Sequence, residues 1–177
     1  MMGKKIIFGV FTLVLAGAFG LIFYVMSQMN IEHLISCSSN EGGTKIPASL
    51  CEYYMVNYRI SKNDIDKLSN GAGLDYILNG EDSKKYEIAK IFISRGLDID
   101  GINHFNDKDL TPLQAAVLHN DVQRVKFLIE NGANIGIKSD SYGMTALELA
   151  RKLHKDDSRE DRSEIIKILS SRLLKSR

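Results

Sequence analysis

Hydrophobic positions along this chain fall into two regimes. Ile6 to Met26 is an unbroken, uncharged run rich in Ile, Leu, Val and Phe. At helical rise such a run reaches about 31 Å, the thickness of a bilayer core, and predicts a membrane-spanning helix. Beyond Leu50 the apolar residues return only at intervals. Between Val122 and Ile129 they occupy 122, 125, 127, 128 and 129, a stripe at helical period that another helix must cover. Ile88 to Ile93 and Glu164 to Leu169 carry similar stripes. Shorter apolar clusters precede each of them, at Leu74 to Leu78, Leu113 to Ala116 and Leu147 to Ala150. The pattern predicts an all-α chain of paired helices.

The residues between the stripes mark where helices begin and end. In Thr111-Pro112-Leu113-Gln114-Ala115-Ala116 the threonine hydroxyl can cap free N–H groups, and proline at the first helical position gives up no hydrogen bond. Ala115 and Ala116 favour helix and let neighbours approach closely. Asn131-Gly132 ends the following helix, because glycine accepts the left-handed conformation of a C-cap. The opening recurs at Gly143-Met144-Thr145-Ala146-Leu147-Glu148-Leu149-Ala150, with Thr145 34 residues after Thr111 and alanine in place of proline.

These residues resemble an ankyrin repeat, which opens T-P-L-H-x-A-A, continues V-V-x-L-L-L and ends G-A-D-V-N. Val125, Phe127, Leu128 and Ile129 match the second helix, and Asn131-Gly132-Ala133-Asn134-Ile135 matches the end. Glu164-Ile165-Ile166-Lys167-Ile168-Leu169 is similar to a further second helix, so the charged run 155–162 is an insertion or a helix extension. Upstream, Ile88 to Ile93 with Gly96-Leu97-Asp98-Ile99-Asp100 resembles another repeat end, after a long turn at Gly80 to Lys85. Leu50 to Ile60 and Asp64 to Leu68 read as a divergent helical pair serving as N-terminal cap. The resemblance implies an ankyrin-repeat solenoid of roughly three to four helix–turn–helix units. The expected organisation is a span over 1–26, a flexible linker over 27–48 and a repeat domain over 49–177.

Lys4 and Lys5 precede the span, whereas the next basic residue beyond it is Lys45. The positive-inside rule then leaves the amino terminus in the cytoplasm and the repeat domain outside, which in a bacterium is the periplasm. Leu34-Ile35-Ser36-Cys37 matches a lipoprotein processing motif and makes Cys37 a candidate for lipidation, the alternative to a protein anchor. Two cysteines, Cys37 and Cys51, permit one disulfide in an oxidising compartment. Cys51 lies among Leu50, Tyr53, Tyr54 and Met55, and a buried free thiol is expected there.

Charge and chemistry narrow the function. The chain has 23 Lys and Arg against 22 Asp and Glu, a balance that argues against nucleic acid as a partner. There is no G-x-S-x-G, and Gly71-Ala72-Gly73 lacks the third glycine of a phosphate or dinucleotide loop. The histidines at 33, 104, 119 and 154 are scattered, with no zinc-site spacing. No catalytic residue, metal or cofactor is expected. The resemblance instead implies a protein-binding face made of inter-repeat turns and first-helix side chains. It would comprise His104, Phe105, Asn106, Lys108 and Asp109 in one turn, then Asp140, Ser141 and Tyr142 in the next. Leu118, His119, Glu148 and Lys152 would line the helical floor. Phe105 and Tyr142 are the expected anchors, since aromatic side chains dominate interface energetics. A small ankyrin domain tethered outside the cytoplasmic membrane is also similar to bacterial immunity proteins paired with type VI secretion phospholipase effectors. That likeness implies a cognate phospholipase toxin as partner; the alternative is a scaffold for a resident envelope enzyme.

Overall fold

The computed structural model describes residues 2–105, 108–156 and 160–175, and no strand occurs among them. The chain divides into two units, Met1–Arg59 and Ile60–Arg177.

The first unit begins with α1 (Met2–Gln28). Its stretch Gly9–Gln28 is long and apolar enough to cross a membrane, and is almost wholly unburied. Asn30 then stops one helix and starts the next: its side chain accepts from the His33 N–H at 2.7 Å and caps α2 (Ile31–Ser38). After a turn through Asn40, Gly42 and Gly43, all at positive φ, Pro47 leads into α3 (Ala48–Tyr58). Met26, Ile31, Leu34, Ile35, Tyr54 and Met55 are buried and form a small core. A Cys37–Cys51 disulfide joins α2 to α3, with Cα atoms 5.9 Å apart. Closing a loop of this length restricts the unfolded chain by about 3 kcal/mol in the chain-entropy account.

Three expectations change here. Where a flexible linker is expected over 27–48, the structure has a helix and a capped turn. Cys51 is not a free thiol, because α2 carries Cys37 onto the same buried face of α3. A lipid on Cys37 would need the sulfur that this bond occupies, so lipidation and the disulfide exclude each other. The pairing differs too: α3 packs on α2 within the first unit.

The second unit opens with α4 (Lys62–Ser69), started by a reciprocal Ser61–Asp64 capping box. Three helix pairs follow. They are α5 (Leu74–Leu78) with α6 (Lys85–Ser94), α7 (Pro112–Leu118) with α8 (Val122–Glu130), and α9 (Ala146–Asp156) with α10 (Ser163–Lys175). Their inner faces bury Phe92, Leu113, Ala116, Val125, Leu128, Leu149, Ala150, Ile165 and Leu169. Successive pairs begin alike. The Thr111 hydroxyl accepts from the Gln114 N–H while Gln114 Oε1 accepts from the Thr111 N–H at 3.0 Å. Thr145 and Glu148 repeat the exchange one unit later.

The helix ends are equally regular. Leu97 donates to Phe92 and Gly96 to Ile93; Ala133 donates to Leu128 and Gly132 to Ile129. Both are Schellman closures, with Gly96 and Gly132 at positive φ. Asn120, also at positive φ, closes α7 the same way through Asn120 to Val117 and Asp121 to Ala116. The charged run after α9 is partly helix extension, reaching Asp156; residues 157–159 lie outside those described.

Gln114 also ties one unit to the next, donating from Nε2 to the carbonyls of Ile137 at 3.0 Å and Met144 at 3.1 Å. Replacing Gln114 with leucine removes both donations and the Thr111 cap, leaves the Met144 carbonyl to Ser139 alone, and should lower stability by about 1–3 kcal/mol. Urea denaturation of the full chain in detergent would read this as a lower midpoint with unchanged slope. Lys126→Ala, which removes only an exposed pair with Glu164, should stay within about 0.5 kcal/mol.

Candidate functional site

The expected binding face begins at the turn before Thr111. Asn103 organises it, donating its amide to Asp75 Oδ2 at 3.4 Å and accepting the Phe105 N–H on Oδ1 at 3.0 Å. The His104 N–H donates back to the Gly71 carbonyl at 2.9 Å. With its backbone pinned inward, the turn projects the Phe105 ring outward, leaving it 75% exposed. His104, Lys108 and Asp109 are exposed beside it. Asn106 lies outside the described residues.

The next turn, Ser139 to Met144, closes through Ser139 N–H to the Met144 carbonyl and Gly143 N–H to the Ser139 carbonyl. Its Ser139 hydroxyl accepts the Tyr142 N–H at 3.3 Å. Asp140 and Ser141 face solvent, while Tyr142 is half-buried. Because Gln114 at the start of α7 holds both ends of this second turn, the two turns are neighbours. Of the two aromatic anchors, Phe105 stands clear and Tyr142 lies partly against its own domain.

Glu148 and Lys152 do not lie on a flat floor. With Gly143, Met144, Arg151, Lys155 and Asp156 they line a cleft of about 560 Å3. Glu148 is engaged there as a cap: the Thr145 backbone N–H, then its hydroxyl, hold the carboxyl below its ordinary range. Leu118 and His119 separate from the rest. They sit at the far end of α7, about 10 Å from Thr111 along the helix. There the Arg162 guanidinium donates to the Val117 and Leu118 carbonyls at 3.5 and 3.3 Å. His104, Phe105, Lys108 and Asp109 thus stand on one turn and Asp140, Ser141 and Tyr142 on the next; Glu148 and Lys152 line the cleft, and Leu118 and His119 lie at the other end of α7.

Sequence reading missed the buried polar network that supports this face. Arg124 on α8 pairs with Asp75 on α5, the two side chains 4% and 5% exposed. Arg124 also donates to Asn79 Oδ1 at 2.8 Å. Burial pushes the Asp75 carboxyl above its ordinary range, and Arg124, the Asn103 amide and the nearby His119 oppose that push. A charge set inside each apolar stripe, Asp75 between Leu74 and Ile77 and Arg124 beside Val125, was the available signal. Arg162 was missed too, hidden in the charged run 155–162 expected to be an insertion or a helix extension. Among the described residues no three His, Cys, Asp or Glu side chains converge as metal ligands.

Among known proteins, the family model described as ankyrin repeats (3 copies) matches residues 79–173. No curated protein and no solved structure matches the chain.

Arg124→Met should destabilise the fold by about 3–5 kcal/mol, because it leaves the Asp75 carboxylate buried and unpaired. Adding Asp75→Leu should recover most of that loss. Phe105→Ala should stay within about 0.5 kcal/mol of the parent. Thermal denaturation of the variants checks all of these.

Proposed function

Because the chain belongs to the ankyrin-repeat family, a family of protein-binding scaffolds, we propose that it is a membrane-tethered module gripping one protein partner through its turn tips. The observation that carries this reading is Phe105: a large aromatic ring on a turn pinned by Asn103, left 75% exposed. The face around it mixes His104, Lys108, Asp109 and Asp140, an arrangement suited to a protein surface carrying both signs of charge. Phe105 then supplies the central anchor and the charged tips the polar rim.

The tether is the α1 span itself, with the domain on the outer side of a bacterial cytoplasmic membrane. Two features support that orientation. Lys4 and Lys5 flank the amino-terminal end of the span. The Cys37–Cys51 disulfide follows its other end, and such bonds persist in oxidising compartments such as the periplasm. The finer reading is an immunity protein that covers the entrance of a secreted antibacterial phospholipase, excluding lipid without chemistry of its own. It rests on architecture: a small repeat domain, near-neutral charge, and a tether that raises the inhibitor's effective concentration where a toxin would act.

Affinity measurement with the captured partner and the detergent-solubilised full chain tests the proposal. Phe105→Ala should weaken binding roughly 30-fold or more, as expected for a hot-spot aromatic. Lys126→Ala should leave it unchanged. Equal binding by the parent and Phe105→Ala would overturn the turn-tip reading. The partner's chemistry decides the finer one: a phospholipase silenced stoichiometrically by the chain supports immunity, and a resident envelope enzyme supports the scaffold.

A further inference from the structure

We propose that residues 31–59 form a juxtamembrane foot seated in the headgroup layer of the bilayer, with Tyr24, Tyr53 and Tyr58 as its lipid-facing side chains. This rests on reading α1 as a span. The depth of α3 follows from its aromatic contacts. Phe23 lies five residues before the end of α1, about 7 Å along the helix axis. Its ring meets Tyr54 edge-on at 5.5 Å and Tyr58 at 6.2 Å. Once α1 is inserted, those tyrosines sit beside the last turns of the apolar stretch rather than above it.

The surface they present suits that place. Tyr24, Tyr53 and Tyr58 are each more than half exposed, and α3 carries a single charged residue, Glu52. Tyrosine is enriched where membrane meets water, because the ring prefers the acyl boundary while the hydroxyl reaches headgroups and water. The Tyr53 and Tyr58 rings stand 6.2 Å apart. Their hydroxyls are hydrogen-bonded, which is the main reason Tyr58 titrates above its ordinary value.

The foot is also fixed to the span. Met26, from the apolar run, is fully buried in the core of this unit. Arg59, just beyond α3, donates to the Met29 carbonyl at 2.8 Å, and the disulfide holds α2 to α3. Helix α3 cannot leave the interface without breaking these links. The occupant of the tyrosine face is therefore the same bilayer that surrounds α1, because the two surfaces are continuous.

The chain has no tryptophan, so one substituted indole reports its own surroundings. Full-length Tyr58→Trp and Phe19→Trp, reconstituted separately in phosphatidylcholine vesicles, would be compared using lipids brominated near the headgroup or deep in the acyl chain. Circular dichroism confirms the helix content of each variant, and Tyr53→Trp serves as a second foot probe. The foot predicts blue-shifted Tyr58→Trp emission, quenched mainly by shallow bromines, with Phe19→Trp quenched mainly by deep ones. Water-like, unquenched emission from both foot probes beside a deeply quenched Phe19→Trp would overturn the foot and leave the span standing. Blue-shifted but unquenched foot probes would assign the face to a protein, a second copy included, and overturn the proposal. Failure of Phe19→Trp to be quenched would overturn the span and the foot together.

Discussion

The repeat unit depends on one requirement: backbone groups freed at helix ends must find partners inside the stack. A short helix such as α7 has only seven residues, so its unsatisfied end groups outnumber its internal bonds. Gln114 meets this requirement with a single amide. Its oxygen caps the start of α7, and its nitrogen holds two carbonyls of the following turn. The same contact that starts a helix thus sets the position of Asp140, Ser141 and Tyr142. At the other end Arg162 supplies donors to the last carbonyls of α7 from a later unit. Adjacent repeats are held by apolar burial, but their register comes from these polar links.

Much of the repeat domain was legible in the sequence because local chemistry and fold agree there. Thr111, Gly132 and Thr145 have their roles dictated by backbone conformation at helix ends, and they recur near the family's period. The amino-terminal third was less legible for a physical reason. Helix α2 is eight residues long and starts from a lone asparagine, and its stability comes from packing on α3 and from the disulfide. A polar segment read by composition alone looks like a linker. Cys51, set in an apolar helix, looks like a buried thiol until α2 brings Cys37 to it.

The binding face shows the same division. Exposure of Phe105 followed from its place in a turn, but the reason for its outward pose did not, since Asn103 acts through Asp75, 28 residues earlier. Leu118 and His119, expected on the helical floor, stand at the opposite end of α7 from Thr111 and the turn before it. A buried Arg124–Asp75 pair beneath the face links α8 to α5. Such a pair adds little net stability over an apolar replacement, but removing one partner leaves a buried charge, so both partners keep their elements in one arrangement. Here that arrangement includes the turn carrying Phe105, through the shared Asn103.

The central claim is that the turn tips of a membrane-held repeat domain contact a single protein. Site-specific photo-crosslinking tests it most directly, with a photoreactive residue placed at position 105 or 126 of the full chain in its native membrane. The account predicts one protein adduct from position 105 and none from position 126. Silence at 105, or equal crosslinking from both positions, would contradict it.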